Sequence, residues 1–348
     1  MRIAIVNDMP MAVEALRRVV TSMPGCEVAW IAADGEQAVR QCALDVPDIV
    51  LMDLMMPRMD GAEATRRIMQ ASPCVILVVT ATVEGHTGKV FEAMGCGALD
   101  AVDTPVLTMS GDPSGGRPLL NKIAMLGKLI GPTRNHPDVQ APKGPVEAST
   151  AALPLLVIGA STGGPAALAR ILRRLPRDLP AAITVVQHVD EQFAPGLAAW
   201  LRIQTGHDVL PIRATDRPTV GRVLVASTND HLVLTRAGNY SYTHEPADFF
   251  YRPSVDVFFQ SAAEAWPGPI VGVLLTGMGA DGAQGMLRLK QAGWHTIAQD
   301  QSTCVVYGMP KAAVKLNAVA EVLPLDEIAP AIIHAIHMAV ATKNEKHP

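Results

Sequence analysis

No apolar stretch in this 348-residue chain approaches the ~20 residues needed to cross a bilayer, so no membrane-spanning segment or membrane insertion is expected. Charge is sparse too: 29 Lys and Arg stand against 33 Asp and Glu, a formal net charge of -4, with no long basic or acidic run. That removes the electrostatic footprint of a nucleic-acid or anionic-membrane binder and leaves a protein or small molecule as the expected partner. Five cysteines, Cys26, Cys42, Cys74, Cys96 and Cys304, are odd in number, scattered and without Cys-x-x-Cys spacing. This argues against a disulfide framework or a zinc site. Internal repeats and low-complexity tracts are also absent. The opening Met1–Asp8 meets an acid after a short apolar run, so a soluble, cytoplasmic protein with free thiols is expected.

The length suits two domains with separate cores. Between about Gly131 and Ala152 the chain loses apolar periodicity in Gly-Pro-Thr-Arg-Asn-His-Pro-Asp and Ala-Pro-Lys-Gly-Pro. We read residues 131–152 as a flexible linker between a domain at 1–130 and another at 153–345. About twenty residues of such coil span roughly 25 Å, or about 60 Å when drawn toward polyproline geometry, so the halves can touch or separate.

Before the linker, apolar runs at Ile3–Val6, Val28–Ala32, Ile49–Met52, Val75–Val79 and Ala98–Val102 alternate with helical patterns, including Ala12–Met23, Glu36–Leu44 and Leu119–Ile130. Five βα units predict an α/β fold with a five-stranded parallel sheet, whose sites gather at the carboxyl ends of the strands. Asp8, Asp53 and Thr80 stand there. Two carboxylates at neighbouring strand ends either share a proton or hold a hard cation such as Mg²⁺; singly, each would read as a helix cap.

The run Val50-Leu51-Met52-Asp53-Leu54-Met55-Met56-Pro57-x-Met59-Asp60-Gly61, with Thr80 and Gly97-Ala98, resembles a two-component receiver domain over Met1 to about Ile130. The resemblance implies that Asp53 accepts phosphate, that Asp8, Asp53 and the Met55 carbonyl hold Mg²⁺, and that Thr80 turns toward the phosphate as a switch. Two positions depart from the pattern. Asn7 replaces one member of the acidic pair, which should weaken the metal. Thr104, before Pro105, replaces the lysine that pairs with the phosphoaspartate, which puts phosphate lifetime and coupling in question.

After the linker, Leu155-Leu156-Val157-Ile158 leads through Gly159-Ala160 to Ser161-Thr162-Gly163-Gly164-Pro165 and a helix carrying Leu168, Ile171, Leu172 and Leu175 on one face. This presents a serine at the tip of a buried strand. Such a turn also suits phosphate, although the Lys-Ser/Thr ending of a P-loop and the dinucleotide fingerprint are both missing. Ile183–Gln187 runs into His188, and Ile270–Thr276 runs into Gly277-Met278-Gly279-Ala280-Asp281-Gly282. In a parallel sheet these ends share an edge. Ser161, His188 and Asp281 then have the types of a hydrolytic triad, with backbone amides around Thr162, Gly163 or Met278 as oxyanion donors. A structural turn at each position is the plainer alternative.

Together, Ile158–Gly164, Val186-Gln187-His188, Tyr251-Arg252-Pro253-Ser254-Val255-Asp256, Leu274–Ala283 and Tyr307-Gly308-Met309-Pro310 resemble the chemotaxis protein-glutamate methylesterases, from about Leu153 to Leu323. The resemblance implies a doubly wound α/β catalytic domain hydrolysing γ-glutamyl methyl esters on methyl-accepting receptors to glutamate and methanol, with the triad Ser161, His188 and Asp281 and no cofactor for that reaction. It also implies a CheA-type histidine kinase as phosphodonor, receptor glutamine deamidation as a possible second activity, and an esterase held inactive until Asp53 is phosphorylated. The Val6-Asn7-Asp8-Met9-Pro10 start and Asp103-Thr104-Pro105 end most resemble the branch serving Wsp-type surface-sensing pathways. A non-catalytic receptor or kinase adaptor, and an esterase for small metabolites, remain as alternatives. His231 and His295 read as satisfying local backbone, Cys304 as a small buried apolar residue, and Tyr251 and Arg252 as cleft lining or a structural loop.

Overall fold

A computed structural model describes residues 1–80, 83–105, 116–130, 153–247, 249 and 251–344. The expected linker and the expected domain end at 345 lie outside them. The chain divides into two compact units, Met1–Arg134 and Asn135–Pro348.

The first unit alternates β1 (Arg2–Val6), α1 (Pro10–Thr21), β2 (Glu27–Ala32), α2 (Gly35–Leu44), β3 (Ile49–Met52), α3 (Gly61–Ala71), β4 (Val75–Thr80), α4 (Val83–Gly95), β5 (Asp100–Asp103) and α5 (Arg117–Ile130). Its parallel sheet has the order β2-β1-β3-β4-β5, so the chain reverses direction across the sheet between β1 and β3. Fully buried Ile49–Met52 shows why a continuous apolar run marks a strand covered on both faces. Helix starts follow their chemistry: Asp34 and Asp60 cap α2 and α3 by accepting from the Gln37 and Glu63 amides. The fifth strand begins at Asp100, not at Ala98 as expected, because the Ala98 amide closes α4 by bonding the Ala93 carbonyl.

The second unit runs β6 (Leu155–Ala160), α6 (Gly164–Leu172), β7 (Ala182–Gln187), α7 (Ala194–Thr205), β8 (Asp208–Pro211), β9 (Arg222–Val225), β10 (His231–Leu234), β11 (Tyr240–Thr243), α8 (Val255–Ala265), β12 (Ile270–Leu274), α9 (Ala283–Gln291), β13 (His295–Gln299), α10 (Met309–Lys315), β14 (Glu321–Leu323) and α11 (Leu325–Asn344). Seven parallel strands are ordered β14-β13-β12-β6-β7-β9-β8, beside the antiparallel β10-β11 pair. From β6 the chain winds outward through β7, then returns to β12 on the other side and winds away again. The β6/β12 boundary is therefore the switch point, where side chains from the loops after the strands meet in a crevice. The fully buried strands β6, β7 and β12 anchor this edge. Among the described residues no helix is long and apolar enough to cross a membrane.

Candidate active site and receiver site

Ser161 follows β6 directly, and its main chain is held from three sides. Its amide donates to the Thr276 carbonyl at 3.1 Å, while its carbonyl accepts from Gln187 Nε2 at 2.9 Å and from the Gly164 amide at 2.8 Å. The next residues turn into α6 through Gly163, whose φ of 77° is left-handed and whose Cβ, were there one, would meet Val305 at 2.6 Å. Glycine is required there on both counts. The β6/β7 register pairs Ala160 with Gln187, and the His188 amide donates to the Ala160 carbonyl at 3.0 Å. Ser161 and His188 thus each directly follow one of two adjacent strands, whose backbones run about 4.8 Å apart.

Asp281 comes from the loop after β12. Buried to 2% exposure, it accepts four hydrogen bonds: His188 Nε2 to Oδ2 at 2.7 Å, the Val255 amide to Oδ2 at 2.7 Å, Ser254 Oγ to Oδ1 at 2.7 Å, and the Asp256 amide to Oδ1 at 3.0 Å. Three of those donors are the N-cap and first turn of α8, where the helix dipole favours an anion. Burial pushes the Asp281 carboxyl up, but the hydrogen bond and charge of His188 and the bonds from Asp256 and Ser254 outweigh it and hold the group below its ordinary range. An ionised carboxylate only accepts, so His188 carries its proton on Nε2. Nδ1 is then a bare lone pair, buried and without a hydrogen-bond partner among the described residues. The structure joins His188 to Asp281 and sets Ser161 beside them, with no bond from the serine hydroxyl to the ring; such contacts often tighten only when substrate binds.

Around this core the structure adds residues to which sequence reasoning gave no role. Ser254, fully buried, spends its hydroxyl on Asp281 and its amide on His231 Nδ1 at 3.2 Å, while His231 Nε2 bonds the Pro246 carbonyl at 3.1 Å. His231 thus satisfies backbone, but at Pro246 and Ser254, 15 and 23 residues away and not locally as expected, and does so directly behind the triad. Burial pulls its imidazole below the usual value, in keeping with the lone pair it offers Ser254. Asp256 accepts from the Gly285 amide at 2.7 Å in the first turn of α9. Asp281 and Asp256 therefore cap each other's helices, and burial together with the charge of Asp281 pushes the Asp256 carboxyl well above its ordinary range. A Ser just before a helical apolar pattern reads as an N-cap; a distant carboxylate that uses this cap leaves no local signal.

The oxyanion candidates sit on pinned turns. The amides of Ser161 and Gly277 are spent on the Thr276 and Val306 carbonyls, which leaves Thr162, Gly163 and Met278 as the next amides along each loop. Thr276 Oγ1 donates to the Thr162 carbonyl at 2.9 Å, and the Gly308 and Met309 amides both bond the Gly277 carbonyl. A Cβ on Gly308 would lie 2.6 Å from that carbonyl oxygen, which accounts for a glycine in the Tyr307–Pro310 motif. The expectation for His295 is corrected. His295 pairs with the Glu321 carboxylate at 2.7 Å across β13 and β14 and not with local backbone. Cys304 is half-buried, and burial pushes its thiol up to about 12, which disfavours a nucleophile. Arg252 faces outward, with Nη1 on His244 and Nη2 on the Ala247 carbonyl.

In the first unit, Asp53 follows β3 and its amide bonds the Val6 carbonyl at 2.9 Å, placing it beside Asn7 with Asp8 one residue on. Asp53 Oδ1 accepts from the Leu54 amide at 2.7 Å. Thr80 closes β4 in a buried position, and the Thr104 amide bonds its carbonyl at 2.9 Å. Asn7 is buried and its Oδ1 is occupied by the Met9 amide at 2.8 Å. No group of three or more His, Cys, Asp or Glu among the described residues is placed to hold a metal ion. The donors at these loop positions, the Asp8 and Asp53 carboxylates and the Met55 carbonyl, are all oxygen, the donor chemistry that suits Mg²⁺.

Residues 156–332 match the CheB methylesterase family, and residues 3–108 match the response regulator receiver domain family. The chain belongs to the CheB methylesterase family. Its relatives include the protein-glutamate methylesterase/protein-glutamine glutaminase 3 of Pseudomonas aeruginosa, 53% identical over 330 residues that cover 95% of this chain and 98% of that one. A protein-glutamate methylesterase/protein-glutamine glutaminase of Mesorhizobium japonicum is 54% identical over 339 residues, covering 96% and 98%. The crystal structure of the Thermotoga maritima CheB methylesterase catalytic domain matches with a TM-score of 0.50 at 36% identity, over 52% of this chain and 97% of that chain. This CheB-family chain thus carries a receiver domain and a methylesterase domain, and it is α/β throughout.

Proposed function

We propose that this protein is a phosphorylation-regulated serine hydrolase that removes methyl groups from γ-glutamyl methyl esters of methyl-accepting receptors. Ser161 Oγ attacks the ester carbonyl while His188 Nδ1 takes its proton, and Asp281 holds Nε2–H and stabilises the imidazolium. The amides of Thr162, Gly163 or Met278 receive the oxyanion. Collapse expels methanol, which takes the proton from His188. Water then gives a proton to the same nitrogen, attacks the acyl-enzyme and releases glutamate and free serine. A receptor glutamine would follow the same course with ammonia as leaving group, and the relatives named as glutaminases support this second activity.

The observation that carries the reading is the bare, buried Nδ1 of a His188 whose Nε2 is bonded to Asp281, at a strand end whose backbone neighbours that of Ser161. The three α8 bonds to Asp281 would serve any fold, but a non-catalytic adaptor has no use for the fourth, from a histidine whose other ring nitrogen is left bare. The reading is tested by methanol release from a methylated receptor preparation, comparing wild type with Ser161→Ala. Release should vanish in the variant; no release from the wild type with a cognate receptor would return the adaptor.

In the receiver domain, Asp53 is assigned as phosphoacceptor, and Asp8, Asp53 and the Met55 carbonyl as ligands of Mg²⁺. When bound, the metal would neutralise charge on the phosphoryl group in transfer. Thr80 is assigned as the switch residue. A CheA-type histidine kinase as donor and a cytoplasmic site of action follow from the pairing of receiver and methylesterase. The Asn7 and Thr104 departures support a place in the Wsp-type branch.

A further inference from the structure

We infer that Tyr251 is a positioning residue for the reaction, holding the plane of the His188 ring; the inference rests on His188 being the base. The two rings stack face to face, with centroids 4.0 Å apart and planes 8° from parallel. On another side, a Cβ at Gly279 would lie 3.6 Å from Tyr251 Cε2 and its phenol oxygen, so the ring also lies against the loop that delivers Asp281. The covalent link at Cγ and the one bond from Nε2 to Asp281 hold two points of the imidazole and leave the ring plane free to rock about the line between them. Covering one face removes that freedom and aims the Nδ1 lone pair in a single direction. The segment Tyr251–Asp256 thus grips both partners of Ser161: Tyr251 grips the imidazole, while Ser254 Oγ and the amides of Val255 and Asp256 grip the carboxylate.

The stack also has an electronic consequence. A tyrosine face attracts a cation far more than a neutral ring, and His188 is cationic only while Ser161 is attacking or the intermediate is collapsing. The contribution therefore belongs to kcat and not to substrate binding. It requires the ring face and not the hydroxyl.

The test measures steady-state methanol release from methylated receptor by the full-length protein as wild type, Tyr251→Phe, Tyr251→Leu and Ser161→Ala. Leucine keeps the bulk and removes the π face. Tyr251→Leu should lose about tenfold in kcat with KM unchanged, and Tyr251→Phe should stay within about twofold of wild type. Wild-type kcat in Tyr251→Leu, an equal loss in Tyr251→Phe, or a loss confined to KM would each overturn the inference. Turnover surviving in Ser161→Ala would overturn the triad reading and this inference with it, whereas an inactive Ser161→Ala beside a fully active Tyr251→Leu would overturn this inference alone.

Discussion

Replacing Asp281 by Asn changes one atom, and the four hydrogen bonds to its carboxylate determine the cost. Oδ2 faces His188 Nε2–H and the Val255 amide, while Oδ1 faces the Ser254 hydroxyl and the Asp256 amide. Whichever way the new amide turns, its NH₂ meets a backbone N–H that cannot reverse. A buried, unsatisfied donor of this kind costs about 1–3 kcal/mol of stability. If the NH₂ faces Nε2, the ring must move its proton to Nδ1 and can no longer take one from Ser161. If the NH₂ takes the place of Oδ1, His188 keeps a neutral partner and loses the charge-assisted bond to its cationic form, about 1.5–3 kcal/mol, or roughly 10- to 150-fold. Tautomer loss and charge loss together predict a fall in kcat of about 10³ to 10⁴, the scale seen for the same change in a serine-protease triad. Methanol release at saturating receptor, with thermal unfolding as a check on folding, reads both effects. A variant within tenfold of wild type would refute the idea that this carboxylate sets the tautomer.

Three further outcomes are expected. Asp256 has its folded value raised by burial and by Asp281, so its contribution to stability is fully present below the unfolded value and is lost as pH rises through the folded one. Asp256→Asn cannot ionise, so its Tm relative to wild type should climb as pH increases from the ordinary carboxylate range near about pH 4; a flat difference would count against the raised carboxyl. Ser254→Ala removes the α8 cap and one Asp281 donor and should cost about 1–2 kcal/mol in denaturant unfolding, with kcat falling as well; full activity at full stability would contradict the role drawn for the cap. An acyl-phosphate donor with Mg²⁺ should add one phosphate by intact mass to wild type and none to Asp53→Asn, and the phosphorylated protein should release methanol faster. Phosphate on Asp53→Asn would move the acceptor elsewhere.

Strand ends were the most legible part of this chain. Unbroken apolar runs such as Leu155–Ile158 and Ile183–Gln187 mark strands buried on both faces, and the residues just beyond them, Ser161 and His188, fall beside each other through a register that a parallel sheet imposes. The end of β12 was less so: the apolar run continues to Thr276, but the strand stops at Leu274 and the Thr276 amide turns to the Gln299 side chain at 2.9 Å. Short, partly exposed β8 through β11 carry too little pattern to read. The cradle of Asp281 is built from residues 25 to 27 positions away, and the Tyr251 stack spans the gap from one loop to another. A motif can point to the Tyr251–Asp256 segment, but only the folded chain shows which atoms it spends on the triad.

The most direct measurement is of the covalent intermediate itself. A γ-glutamyl methyl ester peptide from a methyl-accepting receptor, mixed with the protein and acid-quenched within a turnover, should leave a species heavier by the peptide mass less methanol, with the adduct mapped to Ser161 and absent from Ser161→Ala. Methanol released at the wild-type rate by Ser161→Ala, with no adduct on either protein, would contradict attack by this serine.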